Sequence, residues 1–171
     1  LGKIRLLKNL KKLVIGPNQT KLNSIPTTTG LEKLFISCTN TISNRELGQY
    51  TNLTNLRLGG GAILDGKALA LLTNLTQLAL DRTRVDDNYL KGLTSLTSLQ
   101  LRSHSSIQSK TITSLPLLKY LHVEKCPTVT DYALLFSPNL REIVTDLVLT
   151  DGVKRLLFQR CIVLKVLSHY S

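Results

Sequence analysis

Residues 83–101 read TRVDDNYLKGLTSLTSLQL, and the closing phrase Leu96-Thr97-Ser98-Leu99-Gln100-Leu101 has the form L-x-x-L-x-L. The same form recurs at Leu10/Leu13/Ile15, Leu31/Leu34/Ile36, Leu53/Leu56/Leu58, Leu75/Leu78/Leu80, Leu118/Leu121/Val123, Leu140/Ile143/Thr145 and Cys161/Leu164/Val166. With Leu96/Leu99/Leu101 that makes eight copies, whose starts lie 21, 22, 22, 21, 22, 22 and 21 residues apart. A period this regular marks a repeat architecture. Within each copy the fourth and sixth positions are two apart, so their side chains share one face of a short strand. Stacking such strands in parallel at ~4.8 Å buries that face against the segment returning the chain to the next strand. No copy can bury it alone, so stability comes from neighbours.

The return segments carry a second pattern. Apolar pairs precede the strands at Ile4/Leu7, Leu47/Tyr50, Leu69/Leu72, Leu90/Leu93 and Ile112/Leu115. A spacing of three suits a short helix or 3₁₀ turn with one inward stripe. Asp65, Asp87, Ser109, Asp131 and Asp151 stand where N-caps are expected. NSIPTTTG, with its Pro and three Thr, predicts an irregular loop between Leu22 and Gly30 instead.

Over nearly its whole length this pattern resembles the leucine-rich-repeat family. The phrases at residues 83–101 and CPTVTDYALL at 126–135 are similar to the bacterial and cysteine-containing forms of the repeat. The resemblance implies an α/β solenoid, a curved horseshoe of about eight repeats. Its concave face would be a parallel β-sheet and its convex face short helices or 3₁₀ turns. It also implies that the ninth position of each repeat turns inward. That column holds Asn18, Thr39, Gly61, Thr83, His104, Cys126, Val148 and His169.

A length of 171 residues fits a single domain over residues 1–171. Leu1 at the start and the absence of Met suggest a piece of a longer protein. The lysine-rich first turn is the candidate N-terminal cap, whereas the C-terminal edge carries none. With 42% hydrophobic and 19% charged residues the chain is globular, and no apolar run is long enough to span a membrane. Cys38, Cys126 and Cys161 are widely spaced and form no CxxC, so neither a zinc site nor a disulfide framework is written here. Free thiols point to a reducing, intracellular compartment, including delivery into a host cell. Three N-x-[ST] triplets, at Asn18, Asn52 and Asn74, matter only in a chain secreted by a eukaryote.

Catalysis finds little support. His104 and Cys126 are neighbours in adjacent repeats, the raw material of thiol chemistry, but an inward position makes them packed and inert. GGGA at residues 59–62 lacks the Lys and Ser/Thr of a phosphate loop and reads as a tight turn. No cofactor and no metal are expected.

The remaining chemistry is on the surface. The third, fifth and seventh positions of each strand face away from the core and line the concave side. Lys33, Phe35, Arg57, Gln77, Gln100, Arg102, Tyr120 and His122 are the candidate partner-binding residues there. Aromatic residues and Arg are the usual anchors of protein interfaces. Val144, Leu147, Val163 and Leu167 form a second candidate, an apolar edge expected to be exposed. The expected function is a non-enzymatic protein-binding module, the targeting domain of a bacterial effector. One alternative is the substrate-recognition arm of a ubiquitin-ligase adaptor. The other is nucleic-acid or anionic-membrane association through residues 3–21: the net charge is +11, and residues 1–21 hold six of the cations and no acid.

Overall fold

The computed structural model describes residues 9–17, 30–37, 43–61, 66–83, 85–104 and 106–168. Every L-x-x-L-x-L phrase becomes a strand: β1 (Lys12–Ile15), β2 (Lys33–Ser37), β3 (Asn55–Gly59), β4 (Gln77–Asp81), β5 (Ser98–Arg102), β6 (Tyr120–Glu124), β7 (Glu142–Thr145) and β8 (Val163–Val166). They form one eight-stranded sheet in sequential order. All pairs are parallel, and the register sets each repeat position against its equivalent, as in Leu78↔Leu99 and Leu99↔Leu121.

Alternation along the strands divides the two faces. In β2, β4, β5 and β6 the second and fourth residues are buried and the others are half-buried or exposed. The buried leucines meet the return segments, which run through α1 (Asn44–Gly48), a 3₁₀ turn at Leu69–Leu71, α2 (Asp87–Leu90), α3 (Ser109–Thr113), α4 (Asp131–Leu135) and α5 (Asp151–Arg160). The inward pairs Leu47/Tyr50, Leu69/Leu72, Leu90/Leu93 and Ile112/Leu115 all join this core. Each buried Leu is worth about 1.5–3 kcal/mol over its exposed state, and the helices are too short to stand without that packing.

The caps lie one residue earlier than expected. Asp86, Gln108, Thr130 and Thr150 have the extended backbone of an N-cap, so Asp87, Ser109, Asp131 and Asp151 are the first helical residues. The Asp86 carboxylate accepts from the Asn88 N–H, and the Thr150 hydroxyl accepts from Val153 N–H. An Asp inside the first turn still complements the helix dipole, which is why the sequence placed the helix starts correctly and the caps wrongly. Ser43 completes a capping box with Glu46 on α1. Asp65, Ile4 and Leu7, and the loop from Leu22 to Thr29, lie outside the described residues.

Side chains also fasten one repeat to the next. Thr54, Thr76 and Thr97, each in the second position, donate through their hydroxyls to the carbonyls of Glu32, Thr54 and Thr76 at 3.3, 3.1 and 3.1 Å. Asn74 and Asn139 donate from Nδ2 to Thr51 and Pro116 carbonyls at 3.0 and 2.7 Å. The position after each central strand is left-handed, with φ of 69° at Gly60, 52° at Arg82, 52° at Ser103 and 54° at Lys125. That conformation costs a non-glycine residue about 1–2 kcal/mol. It is offset because the same N–H groups are satisfied across the repeats: Arg82 and Ser103 donate to the carbonyls of Arg102 and Glu124, and Lys125 to the Asp146 carboxylate.

The seventh repeat breaks the pattern. Val148, expected to turn inward, is 88% exposed, while Leu149 is buried and Leu147 is half-buried against the core. The Thr145 hydroxyl accepts from Leu147 N–H here, so the turn takes a different path and leads into the ten-residue α5. At β8 the exposed side chains include Val163 and Val166, although Leu164 packs against the core. Among the described residues this strand has a neighbour on one side only.

Candidate functional site

The face of the sheet opposite the helices is built by three columns. Strand register puts Lys12, Lys33, Asn55, Gln77, Ser98, Tyr120, Glu142 and Val163 in the first of them. Val14, Phe35, Arg57, Ala79, Gln100, His122, Val144 and Lys165 form the second. Asp81, Arg102 and Glu124 stand in the third. Seven gaps of ~4.8 Å make the face ~34 Å long, enough for a standard protein interface.

All eight expected binding residues project from this face, but they form two groups. Toward the N-terminal strands, Lys12 lies over the ring of Phe35 at 5.1 Å from its centroid, a favourable contact for a cation. Phe35, Asn55, Arg57, Gln77, Ala79 and Gln100 line a depression of about 120 Å³. Asn55 donates from Nδ2 to Oε1 of Gln77 at its rim. Arg57 is exposed and has no ion pair or hydrogen bond among the described residues. Lys11, by contrast, is engaged by Glu32 at 2.8 Å, which holds the Glu32 carboxyl below its ordinary value.

Toward the centre, both Nε and Nη2 of Arg102 reach Glu124 Oε2, at 2.9 and 2.8 Å. His122 Nε2 is 3.4 Å from the same oxygen. Burial, followed by the Arg102 charge, pushes the His122 imidazole below its ordinary pKa, with Glu124 opposing. Burial also raises the Tyr120 hydroxyl. Arg102 and His122 are therefore gathered around Glu124, whereas Arg57 is an uncommitted cation.

The residues of the expected apolar edge differ in exposure. Val144 and Leu147 are half-buried, Leu147 against the core. Val163 is exposed and Leu167 half-buried. Apolar exposure at this end extends to Phe158 and Ile162, at 67% and 81%.

The His104/Cys126 column is interior. Thr83 Oγ1 lies 2.6 Å from His104 Nε2, and the Cys126 thiol points at the Glu124 carbonyl, 3.3 Å away. Burial lowers the His104 pKa and raises that of the Cys126 thiol. The thiol is therefore held protonated and covered, the reverse of what a nucleophile needs. Asn18, Thr39, Cys38 and His169 lie outside the described residues, as do Lys3, Arg5, Lys8 and Lys21. Among the described residues no group of His, Cys, Asp or Glu could hold a metal ion, and no helix is long and apolar enough to cross a membrane.

Three solved structures share this arrangement. A leucine-rich-repeat protein of Leptospira interrogans superposes with a TM-score of 0.74 at 26% identity, covering 97% of this chain and 45% of its own. Two Listeria monocytogenes internalins are similar at 24% identity. InlF has a TM-score of 0.69 over 88% of this chain and 46% of its own, and internalin C2 has 0.70 over 95% and 74%. The chain has the leucine-rich-repeat fold. No family model and no curated protein matches it. This leucine-rich-repeat chain spans less than half the length of InlF and of the Leptospira protein.

Sequence reasoning missed the fasteners of the leucine-rich repeats, the second-position threonines Thr54, Thr76 and Thr97 and the asparagines Asn74 and Asn139. Their signal was available as columns at the repeat period. The pairing of Arg102 with Glu124 was less accessible, because it joins seventh positions 22 residues apart.

Proposed function

We propose that this leucine-rich-repeat protein is a non-enzymatic binding module that holds a protein partner on the open face of its sheet. The observation carrying this is the division of the faces. The helical side is filled by the core, while Phe35, Arg57, Arg102 and Tyr120 stand on the other side, half-buried or exposed. Aromatic and Arg side chains on a rigid sheet lose little entropy on binding and supply most of the contact energy in protein interfaces. The buried thiol and imidazole support a non-catalytic role.

As a module of a longer bacterial protein, it would serve as the targeting arm. Support comes from the Listeria and Leptospira relatives in structure. The test is affinity capture from nuclease-treated lysate by the natural chain and by the Phe35→Ala, Arg57→Ala, Arg102→Ala, Tyr120→Ala quadruple variant. A protein retained by the natural chain and lost by a folded quadruple variant is the expected outcome. Equal capture by both would place the binding surface elsewhere.

A further inference from the structure

The open face is electrically polarised along the array, and this specifies the chemistry of its partner more narrowly. On β1 to β3 the outward columns carry Lys12, Lys33 and Arg57 and no carboxylate, since their seventh positions are Gly16, Ser37 and Gly59. On β4 to β7 the same columns carry Asp81, Glu124, Glu142 and Asp146, against a single guanidinium, Arg102. Arg102 is already spent on Glu124, and Asp81 has Arg82 3.4 Å away. Arg57 is unpaired among the described residues, Lys12 rests on the Phe35 ring, and Lys33 neighbours a Glu32 carboxylate that Lys11 already engages.

Next to these cations lies the depression between Phe35, Arg57, Ala79 and Gln100. It combines an aromatic wall, a guanidinium and side-chain amides with a small floor at Ala79. We propose that Lys12, Lys33, Phe35 and Arg57, with this depression, form the subsite for an acidic, extended segment of a protein partner. The proposal rests on the open-face reading above and sharpens it. A carboxylate of the segment meets the fork of Arg57, whose paired N–H groups match it in a bidentate fashion. An adjacent small apolar side chain enters the depression against Phe35, and the amides of Gln77 and Gln100 take up polar groups of the segment's backbone.

The same polarity argues against a nucleic acid. A uniformly charged polyanion running along the sheet would meet Asp81, Glu124 and Glu142 within a few strand spacings. Like-charge juxtaposition of this kind suppresses wrong partners. A peptide can be acidic for a few residues and neutral or basic thereafter, and so fits both halves of the face.

The test uses a fluorescein-labelled peptide of about ten residues, with Glu alternating with Val and Ser over its first half, followed by fluorescence anisotropy. Affinity for the natural chain should fall about tenfold or more when Gln replaces Glu in the peptide, and again when Arg57→Glu replaces the receptor cation. Leu71→Arg, at an exposed position on the helical side, should leave peptide affinity unchanged. Binding that is indifferent to Arg57→Glu and Lys33→Glu in folded variants would overturn the subsite. So would equal affinity for inorganic polyphosphate with the same dependence on Arg57. A partner lost from the quadruple variant but retained by Arg57→Glu would overturn the acidic subsite alone and leave the open-face reading standing.

Discussion

His104 shows how one side chain couples the fold to pH. It is 1% exposed, with Nε2 against Thr83 and Nδ1 buried without a hydrogen-bond partner. Burial favours the neutral ring, so its folded pKa lies below the ordinary value. As pH falls below about 6.5 the unfolded chain takes up this proton before the folded chain does. The contribution is therefore complete above that pH and is lost as pH drops toward the folded value. Thermal melts between pH ~7.5 and ~5 should show stability falling with acid, and His104→Asn should have a shallower slope. His122, shifted in the same direction, leaves part of the slope in the variant. An identical slope would refute the assignment. Gly66 gives a second residue-scale prediction. Its φ is +83°, and a Cβ there would run into the Tyr89 ring. Gly66→Ala should cost about 1–2 kcal/mol or more in urea denaturation, and a neutral result would mean that the turn relaxes.

At the scale of the element, the strands were legible because the L-x-x-L-x-L phrase encodes both period and face, and six of its copies have a buried central Leu or Ile. β1 and β8 depart from that rule, with Leu13 and Leu164 only half-buried, because among the described residues each has one neighbouring strand. What the phrase cannot encode is the turn after the strand. That path depends on backbone bonds to the next repeat, so the outward Val148 and half-buried Leu147 followed from the seventh repeat's own contacts and not from the column. The caps were misread for a similar reason, since an Asp favours both the cap and the first turn. The element hierarchy has an energetic consequence. Leu99→Ala, in the fully buried centre, should cost about 2–5 kcal/mol. Leu164→Ala on β8 should cost on the order of 1 kcal/mol. Equal penalties in chemical denaturation would contradict a stack stabilised by its neighbours.

Across the whole molecule, eight parallel strands in sequential order give a surface without crossovers, on which any column can be read as a line of chemistry. The outward residues were legible from alternation, and all eight expected binding residues do project from the open face. Their grouping was not legible, because it depends on which charges find partners: Arg102 is held by Glu124, while Arg57 is left for another molecule. The central claim is that this open face is the working surface, and Ala79 offers the most direct test. It sits half-buried on the floor of the depression, in the middle of the sheet. Ala79→Trp adds bulk there without removing any core contact. Partner capture by this variant can be compared with Leu71→Arg, which alters an exposed residue on the helical side. With both variants folded by circular dichroism, the account predicts that Ala79→Trp loses the partner and Leu71→Arg keeps it. Retention by Ala79→Trp with loss by Leu71→Arg would contradict it.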